Sequence, residues 1–185
     1  MKPRAIEPAA PADPPLGGAT VTVLRPAGTA TALLRLPAEQ APFQWSTRLV
    51  ADLGAGPNAR LRARPRLTVC GWPGNIDAAA RVAGHLAGNA AQHGRPFTDG
   101  KVVLRLIAHP GTGELLIEVD DARPDFPDFD QVANPSHEPR PGPTGLWWAA
   151  HYRGTVSWDV KQDDDGVDVG KTVQAILPAT WDGSA

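Results

Sequence analysis

Apolar residues recur at helical spacing through the middle of the chain. Ile76, Ala79, Ala80, Val82, Ala83, Leu86, Ala87 and Ala90 fall on one broad stripe, which predicts a helix over roughly residues 76–93. Asn75 follows a Pro-Gly pair and suits an N-cap. Asp77 places a negative charge in the first turn, and Gly94 provides a stop. The period then shortens to two. "KVVLRLIA" (Lys101–Ala108) and the run Glu114–Asp121 predict two strands joined by the Gly/Pro turn "HPGTG". "TGLWWAAHYRG" (Thr144–Gly154) predicts a second, short helix. "TVSWDVKQDDDGVDVGKTVQAILPA" predicts a closing hairpin, in which Asp163–Asp165 form a solvated acidic turn. "RLTVCGW" (Arg66–Trp72) is short and apolar and is read as a strand ending at a "PGN" turn. Further upstream, Ala19–Gly28 and Thr29–Ala38 show some β-type alternation.

Hairpins with helices between them predict an α+β two-layer sandwich, with helices packed on one face of a mainly antiparallel mixed sheet. A Rossmann crossover is not supported, because no strand–GxGxxG–helix unit occurs. Residues 1–18 are rich in Pro, Ala and Gly, carry few large apolar side chains, and predict a disordered arm. Residues 19–65 read as an extension with strand character, and 66–180 as the main domain. Residues 122–143 form a proline-studded loop too long to be a simple connection, which makes it a functional or mobile segment.

Composition narrows the function classes. A chain of 185 residues has room for one ordinary domain, and its net charge is −2. No Lys/Arg cluster is read that would leave a footprint for nucleic acid. No apolar run approaches a membrane span, and the N-terminus lacks an apolar signal core. The single cysteine, Cys70, precludes an internal disulfide, fits a cytoplasmic location, and is expected to be a small buried residue.

Candidate chemistry centres on "HLAGNAAQHG". On a helix His85, Asn89 and His93 stand at i, i+4 and i+8 and project from one side, bordering the apolar stripe. Asn is disfavoured inside a helix unless its side chain is put to use. Strand alternation puts Asp121 on the face of Ile117 and Val119 at the strand's end, where a carboxylate can accept a hydrogen bond from a purine amino group. The loop then ends at a glycine-bearing helix start, "GPTGLWW", whose backbone N–H groups suit a phosphate. His85 and His93 have no third ligand nearby for zinc, and no serine sits in a nucleophile elbow.

In this order, these motifs resemble those of the GHKL (Bergerat-fold) ATPases, and within them the small bacterial anti-sigma-factor serine kinases. "HLAGNAAQHG" is similar to the family's N-box, with Asn89 in the place of the residue that helps hold Mg²⁺ against the phosphates. "VDDA" is similar to the first glycine box, with Asp121 in the place of the adenine-reading Asp. "GPTGLWW" is similar to the second, where Thr144, Gly145 and Leu146 open a helix under the phosphates. "GKTVQAIL" resembles the last strand, whose Thr, here Thr172, reaches the adenine site. The resemblance spans residues 66–178. It implies a histidine-kinase-type ATPase fold, ATP and Mg²⁺ as ligands, a nucleotide contact at His93, and a serine/threonine kinase or ATPase activity. It also implies transcription regulation through a protein partner, either an anti-sigma antagonist or a sigma-type factor, and a homodimer.

Three positions depart from the family. His85 stands where the family's Glu activates the attacking hydroxyl or water; a neutral imidazole takes a proton near pH 7, but an anion is lost. Arg123 replaces the glycine two residues after Asp121. The second box reads Pro143-Thr144-Gly145, with Gly142 one place early. Two readings therefore stand beside the kinase: a catalytically weak or inactive nucleotide sensor, and a scaffold that binds no nucleotide.

Overall fold

The computed structural model describes residues 43–133 and 146–180. The elements run β1 (Phe43–Val50), α1 (Ala55–Val69), α2 (Ile76–His93), β2 (Lys101–Ala108), β3 (Leu115–Asp121), α3 (Phe129–Ala133), α4 (Trp147–His151), β4 (Thr155–Gln162) and β5 (Asp168–Leu177). The five strands form one sheet in the order β1-β2-β3-β5-β4. Every pairing is antiparallel, so the parallel component implied by a mixed sheet is absent among the described residues. The α+β sandwich is as expected: α1 and α2 cover one face.

Helix α2 has the predicted bounds, and the Asn75 side chain accepts a hydrogen bond from the Ala78 N–H at 2.9 Å. Gly94 ends it with an extended backbone (φ −81°) rather than a left-handed one. Strand β2 alternates strictly between half-buried and buried positions, whereas β5 is buried on both faces over most of its length. Val102, Leu104 and Leu106 on β2, and Val173, Ala175 and Leu177 on β5, face the helices and join Ile117 and Val119 in the core.

The expected strand at Arg66–Trp72 is wrong. Residues 66–69 are the last turn of α1, a 15-residue helix in which Ala55, Ala59, Ala63 and Leu67 are buried every fourth residue. The run looked like a strand because its apolar residues are adjacent, while the stripe that packs the helix lies mostly upstream in small alanines. Cys70 caps this helix and is half-buried, with its thiol donating to the Leu67 carbonyl at 3.3 Å. From residue 43 onward, the segment read as an extension contributes an edge strand and a helix to the common core through Leu49, Ala59, Ala63 and Leu67. The arm at 1–18 and the alternating runs at 19–38 lie outside the described residues.

The absence of a basic cluster also needs correction. Arg60, Arg62, Arg64 and Arg66 alternate along α1, and helical geometry splits them to two sides of its buried stripe. Arg62 turns toward β1, donating to Thr47 Oγ1 at 2.8 Å, and the Arg66 guanidinium lies 5.5 Å from the centre of the Trp45 ring. Arg60 and Arg64 face α2.

The far face of the sheet holds a polar network instead of a second helical layer. Asp120, fully buried, accepts two hydrogen bonds from Arg105, one from Lys161 and one from Thr172. Glu118 joins through Arg105 and through Gln174, which in turn accepts from Ser157. Every carboxylate in this network has a cationic partner, which is what makes burial of the charge tolerable.

Candidate functional site

Between the second half of α2, the loop after β3, the start of α4 and the first half of β5 lies a cavity of about 520 Å³. This is within the size range of small-molecule and cofactor sites. Asn89 and His93 reach it from α2, Asp121 from the end of β3, Leu146 from the start of α4, and Lys171 and Val173 from β5. Its floor is apolar, formed by Leu86, Ala90 and Val173, so the few polar groups stand out against hydrocarbon.

Asp121 is fully buried. Its Oδ1 accepts from the Arg123 N–H at 2.9 Å, from Lys171 Nζ at 2.9 Å and, more distantly, from the Arg95 N–H at 3.4 Å. Its Oδ2 has no hydrogen-bond partner. An unsatisfied buried carboxylate oxygen costs free energy unless something uses it. Gly94 makes room for it: a Cβ on that residue would stand 2.7 Å from Asp121 Oδ2. Gly170 does the same for the backbone, since a Cβ there would stand 2.1 Å from the Asp121 carbonyl oxygen.

The loop after β3 is tied to the end of α2. Ala122 N–H donates to the Arg95 carbonyl at 2.7 Å, and Arg95 Nη2 donates to the Ala122 carbonyl at 2.6 Å. Arg123 donates to the His93 carbonyl and forms a two-bond pair with Asp125. That pair holds the exposed Asp125 carboxyl below the usual range. Phe126 packs edge-on to Phe129, with ring centres 5.1 Å apart, and both rings lie against Trp158. The outer wall of the cavity is therefore a pinned loop up to residue 133.

Of the residues singled out in the sequence, Asn89, His93, Asp121 and Leu146 come together here. Asn89 is half-buried, and its amide makes no hydrogen bond among the described residues. His93 is exposed at the rim. Thr144 and Gly145 lie outside the described residues.

Two candidates do not join the cavity. Thr172 points to the opposite face of the sheet, where Oγ1 donates to Asp120 Oδ1 at 2.8 Å. Strand alternation makes this inevitable once Val173 is a core residue, because neighbours on a strand project to opposite faces. The residue that enters the site is its neighbour Lys171. The same alternation could have identified it from the sequence, as a lysine in register with Val173 and Ala175.

His85 lies one turn up α2, outside this cavity. It lines a second groove with Arg60, Arg64 and Arg81, and its ring stacks on Trp148 with centres 6.0 Å apart. Burial, then the positive fields of Arg60 and Arg81, lower its pKa from the ordinary histidine value.

Among the described residues no group of three or more His, Cys, Asp or Glu side chains could hold a metal ion, and no helix is long and apolar enough to cross a membrane. No family model and no curated protein matches the chain. Among solved structures it is similar to a mycobacterial sensor histidine kinase, MprB, at 16% identity and a TM-score of 0.40, over 72% of this chain and 97% of that one. Likeness at this distance adds nothing to the reading of the site, which rests on its side chains.

Proposed function

We propose that this cavity binds a nucleotide, ATP with Mg²⁺, and that the chain is a regulatory protein resembling the anti-sigma-factor serine kinases. One observation carries the reading. Asn89 and Asp121, 32 residues apart in sequence and on different elements, line a common cavity with an apolar floor. The donor set fits the ligand. The buried Asp121 carboxylate has an unused oxygen for a base amino group. Lys171 has donor capacity left after Asp121 Oδ1 and the Arg123 carbonyl are served. Asn89 carries a free amide oxygen, the ligand type Mg²⁺ prefers when phosphates complete its shell. Bound Mg²⁺–ATP would supply the transferable phosphoryl group; the chain's part is to seat the base in the apolar floor and exclude water from its edge.

A second reading is favoured by the place of His85. It stacks on Trp148 among arginines, outside the cavity. The residue at the position of the family's base thus stands outside the cavity, whose α2 wall carries Asn89 and the rim residue His93, which favours a nucleotide sensor with weak or no turnover. In either reading, output passes through a protein partner that controls a transcription factor.

Calorimetry with ATP and Mg²⁺ tests the nucleotide. Saturable heat from the unmodified protein, reduced tenfold or more in Asp121→Ala, is the expected result; no heat from the unmodified protein removes the reading and leaves the scaffold. ATP turnover by His85→Glu separates the other two. A gain on restoring the carboxylate marks a decayed kinase, and none marks a dedicated sensor.

A further inference from the structure

On the face of α1 and α2 away from that cavity, a groove of about 490 Å³ is lined by Arg60, Leu61, Arg64, Arg81, Gly84 and His85. Two of its arginines, Arg60 and Arg81, lie against neighbouring groups and not against acids. The Arg60 stem lies across Gly84, where a Cβ would stand 2.5 Å from Arg60 Cγ. The Arg81 guanidinium lies 4.4 Å from the centre of the Trp148 ring, which also stacks on His85. Neither Arg60 nor Arg81 forms a salt bridge among the described residues. Only Arg64 does, with Asp77 at 2.6 Å, and both of those side chains are more than half exposed.

The contrast along α1 is informative. Arg62 and Arg66 are used inside the fold, on Thr47 and Trp45. Arg60 and Arg81 lie against Gly84 and Trp148, yet neither forms an ion pair among the described residues. A guanidinium is a planar fork suited to carboxylates, and holding it in place beforehand lowers the cost of binding. Beside these cations Leu61 is 72% exposed on the groove wall.

We propose that this groove docks an acidic segment of a protein partner, with carboxylates on Arg60 and Arg81 and an apolar side chain on Leu61. Three cations around one leucine are too short a track for a nucleic acid backbone, and an overall charge of −2 opposes one. A free phosphate leaves Leu61 unused. The groove stands apart from the nucleotide cavity, so the proposal holds or fails independently of that reading. The positive field that helps hold His85 below its ordinary pKa would be offset by bound carboxylates.

The test uses the full chain without nucleotide and a fluorescein-labelled peptide of Glu and Asp flanking a central Leu. Fluorescence anisotropy should show saturable binding that weakens with salt. Arg60→Gln/Arg81→Gln should lose about tenfold or more, as expected when charge-assisted contacts go. Leu61→Ser should lose severalfold, and Arg60→Lys/Arg81→Lys should fall between, since charge remains without the fork. The His85 pKa followed by NMR should rise on peptide binding. These side chains are at the surface, so unchanged circular dichroism and melting verify that the variants fold. The proposal is overturned if the peptide does not bind, or if Arg60→Gln/Arg81→Gln binds it as well. It is equally overturned if inorganic phosphate or a thymidine oligonucleotide competes at the same concentration. A dimer by light scattering that dissolves in Arg60→Gln/Arg81→Gln would assign the groove to a second copy instead.

Discussion

Asp121 and Lys171 are direct partners across the β3–β5 ladder, and their side chains close a 2.9 Å ion pair in the wall of the cavity. Both are almost fully buried, at 0% and 7% side-chain exposure. The lysine satisfies one carboxylate oxygen, and the other has no hydrogen-bond partner. Removing one member of a buried pair strands the other's charge. Lys171→Met should therefore destabilise the fold by about 3–5 kcal/mol in denaturant unfolding. The double variant Asp121→Leu/Lys171→Met should recover much of that loss, while nucleotide binding stays lost. Additive losses in the cycle would show that the pair is not coupled.

Gly94 is required by crowding and not by backbone angle, since its φ is −81°. A Cβ would meet the Ala90 carbonyl oxygen at 2.4 Å and Asp121 Cγ at 2.6 Å. Gly94→Ala should cost about 1–3 kcal/mol, the range for overpacking, and should displace the carboxylate. Loss of nucleotide affinity beyond the loss of stability would register that displacement. A variant as stable and as tight-binding as the parent would refute it.

Two groups shielded from solvent, His85 and Asp120, act on the acid side of the stability profile in separate windows. His85 has a folded pKa below its unfolded value, so the unfolded chain binds more protons between the two. Its contribution is complete above about pH 6.5 and declines as pH falls from there toward the lowered folded value. His85→Gln should flatten this part of the curve of unfolding free energy against pH.

Asp120 acts lower. Burial alone would raise its pKa, but hydrogen bonds from Arg105, Lys161 and Thr172 outweigh it and hold the carboxyl below its ordinary value. Its stabilisation is present above the unfolded pKa of about 3.9 and is lost as pH falls through the folded value. Asp120→Asn should remove that acid-side slope and lower stability at neutral pH, because Arg105 and Lys161 lose their shared anion. An unchanged acid midpoint would contradict the assignment.

Trp72 fastens the start of α2 to the β2–β3 turn. Its Nε1–H donates to the Gly113 carbonyl at 2.8 Å, and Gly113 adopts φ +71°. Trp72→Phe should cost about 1 kcal/mol for the hydrogen bond, with additional loss from the shortened ring. Gly113→Ala should add backbone strain at the same junction. Thermal melts of the two variants check both.

Much of this protein was legible before any coordinates. Helix α2, with its Asn75 cap, and strand β2 follow from periodicity, because a buried stripe repeats at 3.6 residues in one and at 2 in the other, while β3 to β5 follow from short apolar-rich runs set off by turn residues. The presence of Asn89 on a cavity-lining face could be argued from the energetic oddity of an asparagine inside a helix. Tertiary structure decided what periodicity does not encode. Helix α1 was hidden because its buried positions are mostly alanines, which barely mark a stripe, so an apolar end looked like a strand. Strand register chose Lys171 over Thr172, since a shift of one residue exchanges the faces of a sheet. The separation of His85 from Asn89 into two recesses depended on Trp148 and Arg60, which arrive from α4 and α1. Local pattern sets which way a side chain leaves its own element; only the packing of elements determines what it meets there.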